Sequence, residues 1–552
     1  MGNALKYIIA GILLCGCACS ENGKDKPDDP VTPPEESKDV FQYTTTADKL
    51  RLFEETTYSF AKPGTAPQYV VKVTGDTYQT VEGFGAALTV SSCYNILKMP
   101  VKERTEFLRQ VFDPENGIGC SLVRVAIGGC DFSWDYGESG LSEDGRFTWC
   151  DTEGIGNFAP HPMDVKYVIP VLKEIYSINP GVKVIGSPWT APRWMKTDAK
   201  LSGAAHYSWT GGRLAPEHYG DYAAYFVKWI QYMKGQGVDV TAVTPQNEPL
   251  NAGNSMSMLM YWTDCRDFVK VLGPALKSAG LSTRILIFDH NYNYDGKESE
   301  QQYPAKIYQL YEGTDFEGKE LVAGAAYHNY GGSSDELNVI HDLYPDKELI
   351  FTEASIGTWN NGRNLDTSLA DNMVNVALNT VLKHCKAAIV WNFMLDMQRG
   401  PNLDGGCQTC YGAIDIANDY KSYTFNSHYY AICHMAAVVR PGAVRIATSG
   451  WWFDGVTYAA FRNPDGTLAL VLYNSTNKEL NIHVADGTNR YPLYVPTRAA
   501  VSLLMNTDQA ASIGSIVGSD DARTYYTLQG MKVDAPQQPG IYIRQGRKEF
   551  IQ

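Results

Sequence analysis

"VDVTAVTPQNEPLN" (Val238–Asn251) passes from alternating apolar residues into a polar tip that carries an acid, Glu248, between an amide and a proline. The apolar half reads as a short β-strand, and Pro249 pushes the backbone of Glu248 towards extended geometry. A surface loop has no need of such a restrained carboxylate, whereas a strand delivering a side chain to a site does. The pattern recurs in "VEGFGAALT", "LVRVAIGG", "VKVIGSPWT", "RILIFDHN", "AGAAYHNY", "ELIFTEAS" and "AAIVWNFM", each an apolar run with a polar or aromatic end. Between these runs, apolar residues recur at three- and four-residue spacing over 101–112, 164–178, 216–235, 258–279 and 366–384, which predicts helices. Eight strands alternating with helices over residues 81–441 predict an α/β fold, a (β/α)8 TIM barrel. The C-terminal strand ends of such a barrel build its active site. Here they supply Asp131, Trp189, Asn247, Glu248, Asp289, His290, His328, Tyr330, Glu353, Trp391 and Asn392.

The flanks have a different period. Residues 40–80 and 442–505 alternate with turn signals such as "NPDG", which predicts one attached β-sandwich domain built from both chain ends. Residues 506–552 read as a C-terminal β extension of one or two hairpins. At the start, Lys6 precedes "YIIAGILLCGCAC", too short to span a membrane and typical of a signal peptide. "LLCGC" looks like a bacterial lipobox, which makes 1–17 a lipoprotein signal with Cys17 as the lipid-anchored residue. An ordinary secretory signal is the alternative. Residues 18–39 are charged and Pro-rich with few apolar residues, the composition of a disordered tether. Either way an exported protein is expected: an outer-membrane or cell-surface lipoprotein, or a periplasmic one. No motif fixes an oligomeric state.

A net charge of −14 argues against a nucleic acid or an anionic lipid surface as partner and favours a neutral one. The 35 Tyr and 11 Trp supply either large cores or flat platforms for sugar rings. "CQTC" (Cys407–Cys410) has no second CxxC, so a local disulfide or two unreactive thiols fit better than half a zinc site. The ten His form no HxxH or HExxH pair, and no metal is expected. "GFGAAL" lacks the third glycine of a dinucleotide loop, so no cofactor is expected either.

Two strand-end acids remain, Glu248 on the fourth run and Glu353 on the seventh. Glycosidic-bond hydrolysis needs such a pair, one carboxyl to protonate the leaving oxygen and one to attack or to activate water. Taken singly, each is equally at home as a helix cap or an ion-pair partner. "VEGFGAALT", "RVAIGGCDFS", "GSPWTAPRWMK", "TPQNEP", "YHNY", "FTEAS", "WNFMLDMQRGPN" and "RPGAVRI" together resemble glycoside hydrolase family 30, the group of glucosylceramidases and β-1,6-glucanases. The resemblance runs in family order from Val81 to Ile446. It implies Glu248 as general acid/base, Glu353 as nucleophile, and retention of configuration. It places Asn247 on the sugar 2-hydroxyl and Asp131, Trp189 and Trp391 around the sugar in the −1 subsite. It puts Arg124 and Tyr330 beside the nucleophile with His328 close by, either touching substrate or supporting the carboxylates. "QRGPN" departs from the family's "GGPN" and puts Gln398 and Arg399 near the mouth of the site, followed by the unusual "LDGGCQTCYG". The substrate expected is a β-linked glycan, with endo-β-1,6-glucanase action leading. A glucosylceramidase-like exo-β-glucosidase or a xylan-active enzyme is the alternative. A surface glycan-binding lipoprotein without catalysis is the reading from another class, and the survival of Glu248, Glu353 and Asn247 argues against it.

Overall fold

The computed structural model describes residues 40–58, 67–198, 207–293, 297–450, 454–487 and 489–507, and by backbone alone several strands between 525 and 551. The signal, lipid-anchor and tether expectations for 1–39 lie outside the described residues.

Eight strands close a parallel barrel: Gly83–Ala87, Leu122–Ala126, Lys183–Ser187, Val240–Val243, Arg284–Asn291, Val322–His328, Glu348–Glu353 and Cys385–Val390. They are the eight apolar runs of the sequence. Buried on both faces, they carry few polar residues before their ends. The barrel interior is filled by Leu122, Ile185, Ala242, Leu286, Ala326, Ile350, Ala387 and Ile389, a mixture of large and small side chains. A Cβ at Gly85 would stand 1.7 Å from the Leu122 carbonyl, so only glycine lets the first two strands approach there.

Helices with apolar stripes pack outside, as in Val101–Phe112, which buries Phe107, Leu108, Val111 and Phe112. The helix expected over 258–279 starts later, at Trp262, where the Asp264 carboxylate reaches back to accept the Tyr261 N–H at 3.1 Å. The residues before it are drawn away by Leu259 N–H to Gly212 and Met260 N–H to Pro249, both at 2.8 Å. The helix over 366–384 is broken into Leu365–Asp371, a wide π-helical stretch Asn372–Leu378, and Asn379–Leu382.

The flanks form one nine-stranded sheet. Val40–Thr46 pairs antiparallel with Ala499–Met505, and Tyr69–Thr80 lies between Val444–Ser449 and Leu480–Asp486. Val40, Leu470, Leu472, Ile482, Val484, Leu493, Val501 and Leu503 fill its core. His434, fully buried on helix Ser427–Ala436, ties sheet to barrel through Ser502 Oγ at 2.7 Å and Thr45 Oγ1 at 2.9 Å. In the C-terminal extension, Gly540–Arg544 and Arg547–Ile551 form a hairpin within a four-stranded sheet. Among the described residues no helix is long and apolar enough to cross a membrane.

Candidate active site

Glu248 follows the fourth strand and Glu353 ends the seventh. Glu248 lies at φ +44°, not in the extended geometry that the following proline predicts. Pro249 disfavours the right-handed helical region, and the Glu248 N–H donates to the Asp289 carbonyl at 2.9 Å, which holds the residue left-handed instead. Such a backbone costs about 1–3 kcal/mol and persists only where the surroundings impose it.

Arg124, 1% exposed, sits at the centre of the barrel mouth. Its guanidinium donates to Glu353 Oε2, to Asp289 Oδ2 at 2.8 Å and to Asn247 Oδ1 at 2.7 Å. That last bond fixes the Asn247 amide with its oxygen towards the arginine, leaving the NH2 as the donor for a sugar hydroxyl. Asp289 is the hub beneath. It accepts from Ser187 Oγ at 2.9 Å, Thr244 Oγ1 at 2.8 Å, Thr352 Oγ1 at 2.6 Å and His328 Nε2 at 3.0 Å. Burial pushes its carboxyl up, but Arg124 and His328 prevail and hold it far below the usual range.

His328 bridges downward to Asp289 and across to Glu248 Oε1, 3.3 Å from Nδ1. Burial lowers its affinity for a proton, yet Glu353, Asp289 and Glu248 raise it to about 9. Glu248 Oε2 accepts from Asn251 Nδ2 at 2.8 Å and Asn254 Nδ2 at 2.9 Å. Burial pushes Glu248 up, and the donors led by His328 bring it to about 2. Glu353 accepts the Tyr330 hydroxyl at 2.9 Å as well as Arg124. Burial still pushes Glu353 up, against His328 and Arg124. Affinity for a proton is thus raised at His328 and lowered at Glu248.

Asp131 is raised to about 8, by burial first and then by Glu353 and Glu248. That shift favours the protonated form, which offers a sugar one donor and one acceptor where a carboxylate offers acceptors alone. Trp391 lines the cavity, and Trp189 backs it, stacked at 5.0 Å with Arg124 also 5.0 Å from the Trp189 ring. The cavity, about 430 Å³, is lined by Asp131, Glu248, Glu353, Tyr330, Ser355, Trp359, Trp391, His290, Asn251, Asn254, Asn291 and the cysteines 407 and 410.

Those two cysteines form a disulfide in the wall of the site, which resolves the two alternatives for "CQTC". Gln398 and Arg399, expected near the mouth, do not line the cavity. Arg399 Nε donates to the Gln408 carbonyl at 2.9 Å, and the disulfide loop takes the place at the wall. Sequence reasoning gave no role to Asp289, although it noted that residue at a strand end, and missed Asn251, Asn254 and Trp359 altogether. An aspartate inside the apolar run "ILIFDHN" was the one available signal for the hub.

Glu248, His328 and Glu353 each bring one potential metal-ligand atom within 4.8 Å of the others. These groups already have partners in Arg124, Tyr330, Asp289, Asn251 and Asn254. The same proximity puts an oxygen of one carboxylate within 4.8 Å of an oxygen of the other. Retaining glycosidases hold their carboxyls about 5–5.5 Å apart, and inverting ones about 6.5–9.5 Å.

Residues 81–439 match the model of the glycosyl hydrolase family 30 TIM-barrel domain, and residues 442–503 that of the family's beta sandwich domain. The chain belongs to glycosyl hydrolase family 30. This family 30 chain is 49% identical to a solved endo-β-1,6-glucanase over 85% of its own length and all of that chain, with a TM-score of 0.80. It is 28% identical to the endo-1,6-β-D-glucanase neg1 of Aspergillus fumigatus, over 74% of this chain and 80% of that one. With the lysosomal acid glucosylceramidase of Mus musculus it shares 26% identity over 74% and 78% respectively. As a family 30 member it is a retaining glycoside hydrolase.

Proposed function

We propose that the chain is a retaining endo-β-1,6-glucanase. The observation that carries this reading is the close Glu248–Glu353 pair in an open, polar-rimmed cavity, and the 49% identical endo-β-1,6-glucanase supports the choice of linkage. Glu353, held by Arg124 and Tyr330, attacks the anomeric carbon as Glu248 protonates the departing oxygen, which gives a covalent glycosyl-enzyme. The charge on Glu353 faces a permanent cation, whereas that on Glu248 faces a titratable one. Moving one proton from His328 Nδ1 to Glu248 Oε1 along their contact makes Glu248 the neutral acid and leaves His328 neutral with Nε2–H on Asp289. In the second half-reaction Glu248, now ionised, takes a proton from water, which displaces Glu353 from the sugar with net retention. The surplus of negative charge around the −1 sugar favours the positive charge that builds up at the transition state.

Asn251, Asn254 and Asn291 line the cavity beside Trp359 and Tyr330, a mixture of polar and aromatic groups that suits a sugar's hydroxyls and C–H faces. Incubation of the purified protein with β-1,6-glucan should release a ladder of oligosaccharides, whose new reducing ends appear first as the β-anomer by NMR. Glucose as sole product would replace endo with exo action, and absence of any release would overturn the substrate. The lipobox-like "LLCGC" supports an exported lipoprotein anchored through Cys17. Metabolic labelling with a fatty acid should mark the protein and fail in Cys17→Ala.

A further inference from the structure

Endo action requires a binding surface for the sugar that leaves as well as for the one attacked. Resting on the endo-β-1,6-glucanase reading, we infer that the indole of Trp359 is the platform for the sugar ring on the leaving-group side of the scissile bond. Trp359 follows Glu353 by one short loop and lines the same cavity as Glu248, the group that protonates the leaving oxygen. It is 55% exposed, the only tryptophan among the described residues with more than half of its surface open. By contrast, Trp189 and Trp391 are 2% and 4% exposed and belong to the floor.

An exposed indole serves as a platform only if it is held in place, and this one is. A Cβ at Gly357 would stand 2.0 Å from Trp359 Cζ3 and 2.5 Å from the Thr409 carbonyl, so the ring lies against a seat that only glycine leaves open. The seat belongs to a two-stranded ribbon, with Ile356 opposite Tyr411 and Gly357 opposite Cys410. Thr358 N–H adds a bond to the Thr409 carbonyl at 3.0 Å, and the Cys407–Cys410 disulfide closes the facing loop. The Gly357 N–H donates to Asn360 Oδ1 at 2.9 Å, which pins the far end of the turn. Sugar rings present C–H faces to an indole, and the hydroxyls at the ring edges stay free for the polar groups that line the cavity. A β-1,6 linkage inserts an exocyclic methylene between rings. The leaving sugar can thereby turn its face onto a side wall while its neighbour remains on the floor.

The test compares β-1,6-glucan with β-D-glucosyl fluoride, whose leaving group is too small to reach Trp359. In Trp359→Ala the ratio of kcat/KM on glucan to kcat/KM on fluoride should fall by about tenfold, the loss expected of one stacking contact. Trp359→Phe should restore part of that ratio. A Trp359→Ala variant whose ratio is unchanged, either because both substrates suffer equally or because neither does, overturns the platform. So does a Phe variant no better than Ala. Wild-type protein that cleaves the fluoride but releases nothing from β-1,6-glucan overturns the substrate reading, whereas a normal wild-type ladder with an unchanged variant ratio overturns the platform alone.

Discussion

The two ends of the barrel use the same kinds of side chain for opposite purposes. At the N-terminal end of the strands, Arg284 pairs with Glu82 at 2.5 Å and with Glu348, Lys183 meets Glu82 at 3.3 Å, and Lys386 meets Glu348 at 2.9 Å. Each carboxylate there faces two cations, and all five side chains keep some contact with water. At the C-terminal end, Glu248, Glu353 and Asp289 share Arg124 and His328, mostly out of reach of solvent. A half-wet cluster in which cations outnumber carboxylates and every carboxylate is matched stabilises and does little else. An unbalanced buried one holds protons out of their usual range, and that is the raw material of acid–base catalysis.

The contrast is sharpest under substitution. Glu353→Gln should lower kcat on β-1,6-glucan by about 10⁴-fold or more while the protein remains folded, read by reducing-sugar release beside circular dichroism. Arg124→Met leaves Asp289 and Glu353 buried without their cation, and should cost about 3–5 kcal/mol in urea unfolding together with the activity. Arg284→Met, at the other end, should cost about 1–3 kcal/mol and leave kcat/KM within a factor of about two well below the melting transition. An equal loss of activity in Arg124→Met and Arg284→Met would erase the distinction between the two ends.

The smallest effect is on pH. His328 is raised from 6.5 to about 9 on folding, so the stability it adds is complete below 6.5 and is lost as pH rises through about 9. Tm should therefore decline by about 1–3 °C across that window, and His328→Gln should flatten the decline. The same titration removes the proton that Glu248 borrows, so kcat/KM should show an alkaline limb near 9 in wild-type protein.

The barrel was legible because each strand is an apolar run buried on both faces and ended by a polar residue, a pattern that needs no tertiary information. The pair Glu248 and Glu353 was legible for the same reason, by position at strand ends. Asp289 was visible at a strand end but not as the hub, because its role lies in partners on or just past five other strands, brought together only by closure. The left-handed backbone of Glu248 was misread because proline restricts its neighbour locally, while the bond to the Asp289 carbonyl is long-range. Trp359 escaped notice because a single exposed indole in a loop has no period to reveal it. The basal cluster escaped because Glu82, Lys183, Arg284, Glu348 and Lys386 are ordinary charges at the starts of apolar runs.

The nine-stranded sheet has a consequence for the order of assembly. Val40–Thr46 pairs early with Glu54–Tyr58 on one edge, but its other edge stays open until Ala499–Met505 has been made, after the whole barrel has been synthesised. Pairing across such a separation is slow to nucleate, and a strand edge left open in the meantime invites other chains. The barrel, whose neighbouring strands are close in sequence for all but one closure, is free to fold first and to bring the two halves of the sheet together. A chain ended at 441 would then retain its catalytic carboxylates and yet leave one edge of Val40–Thr46 and both edges of Tyr69–Thr80 without the strands that cover them.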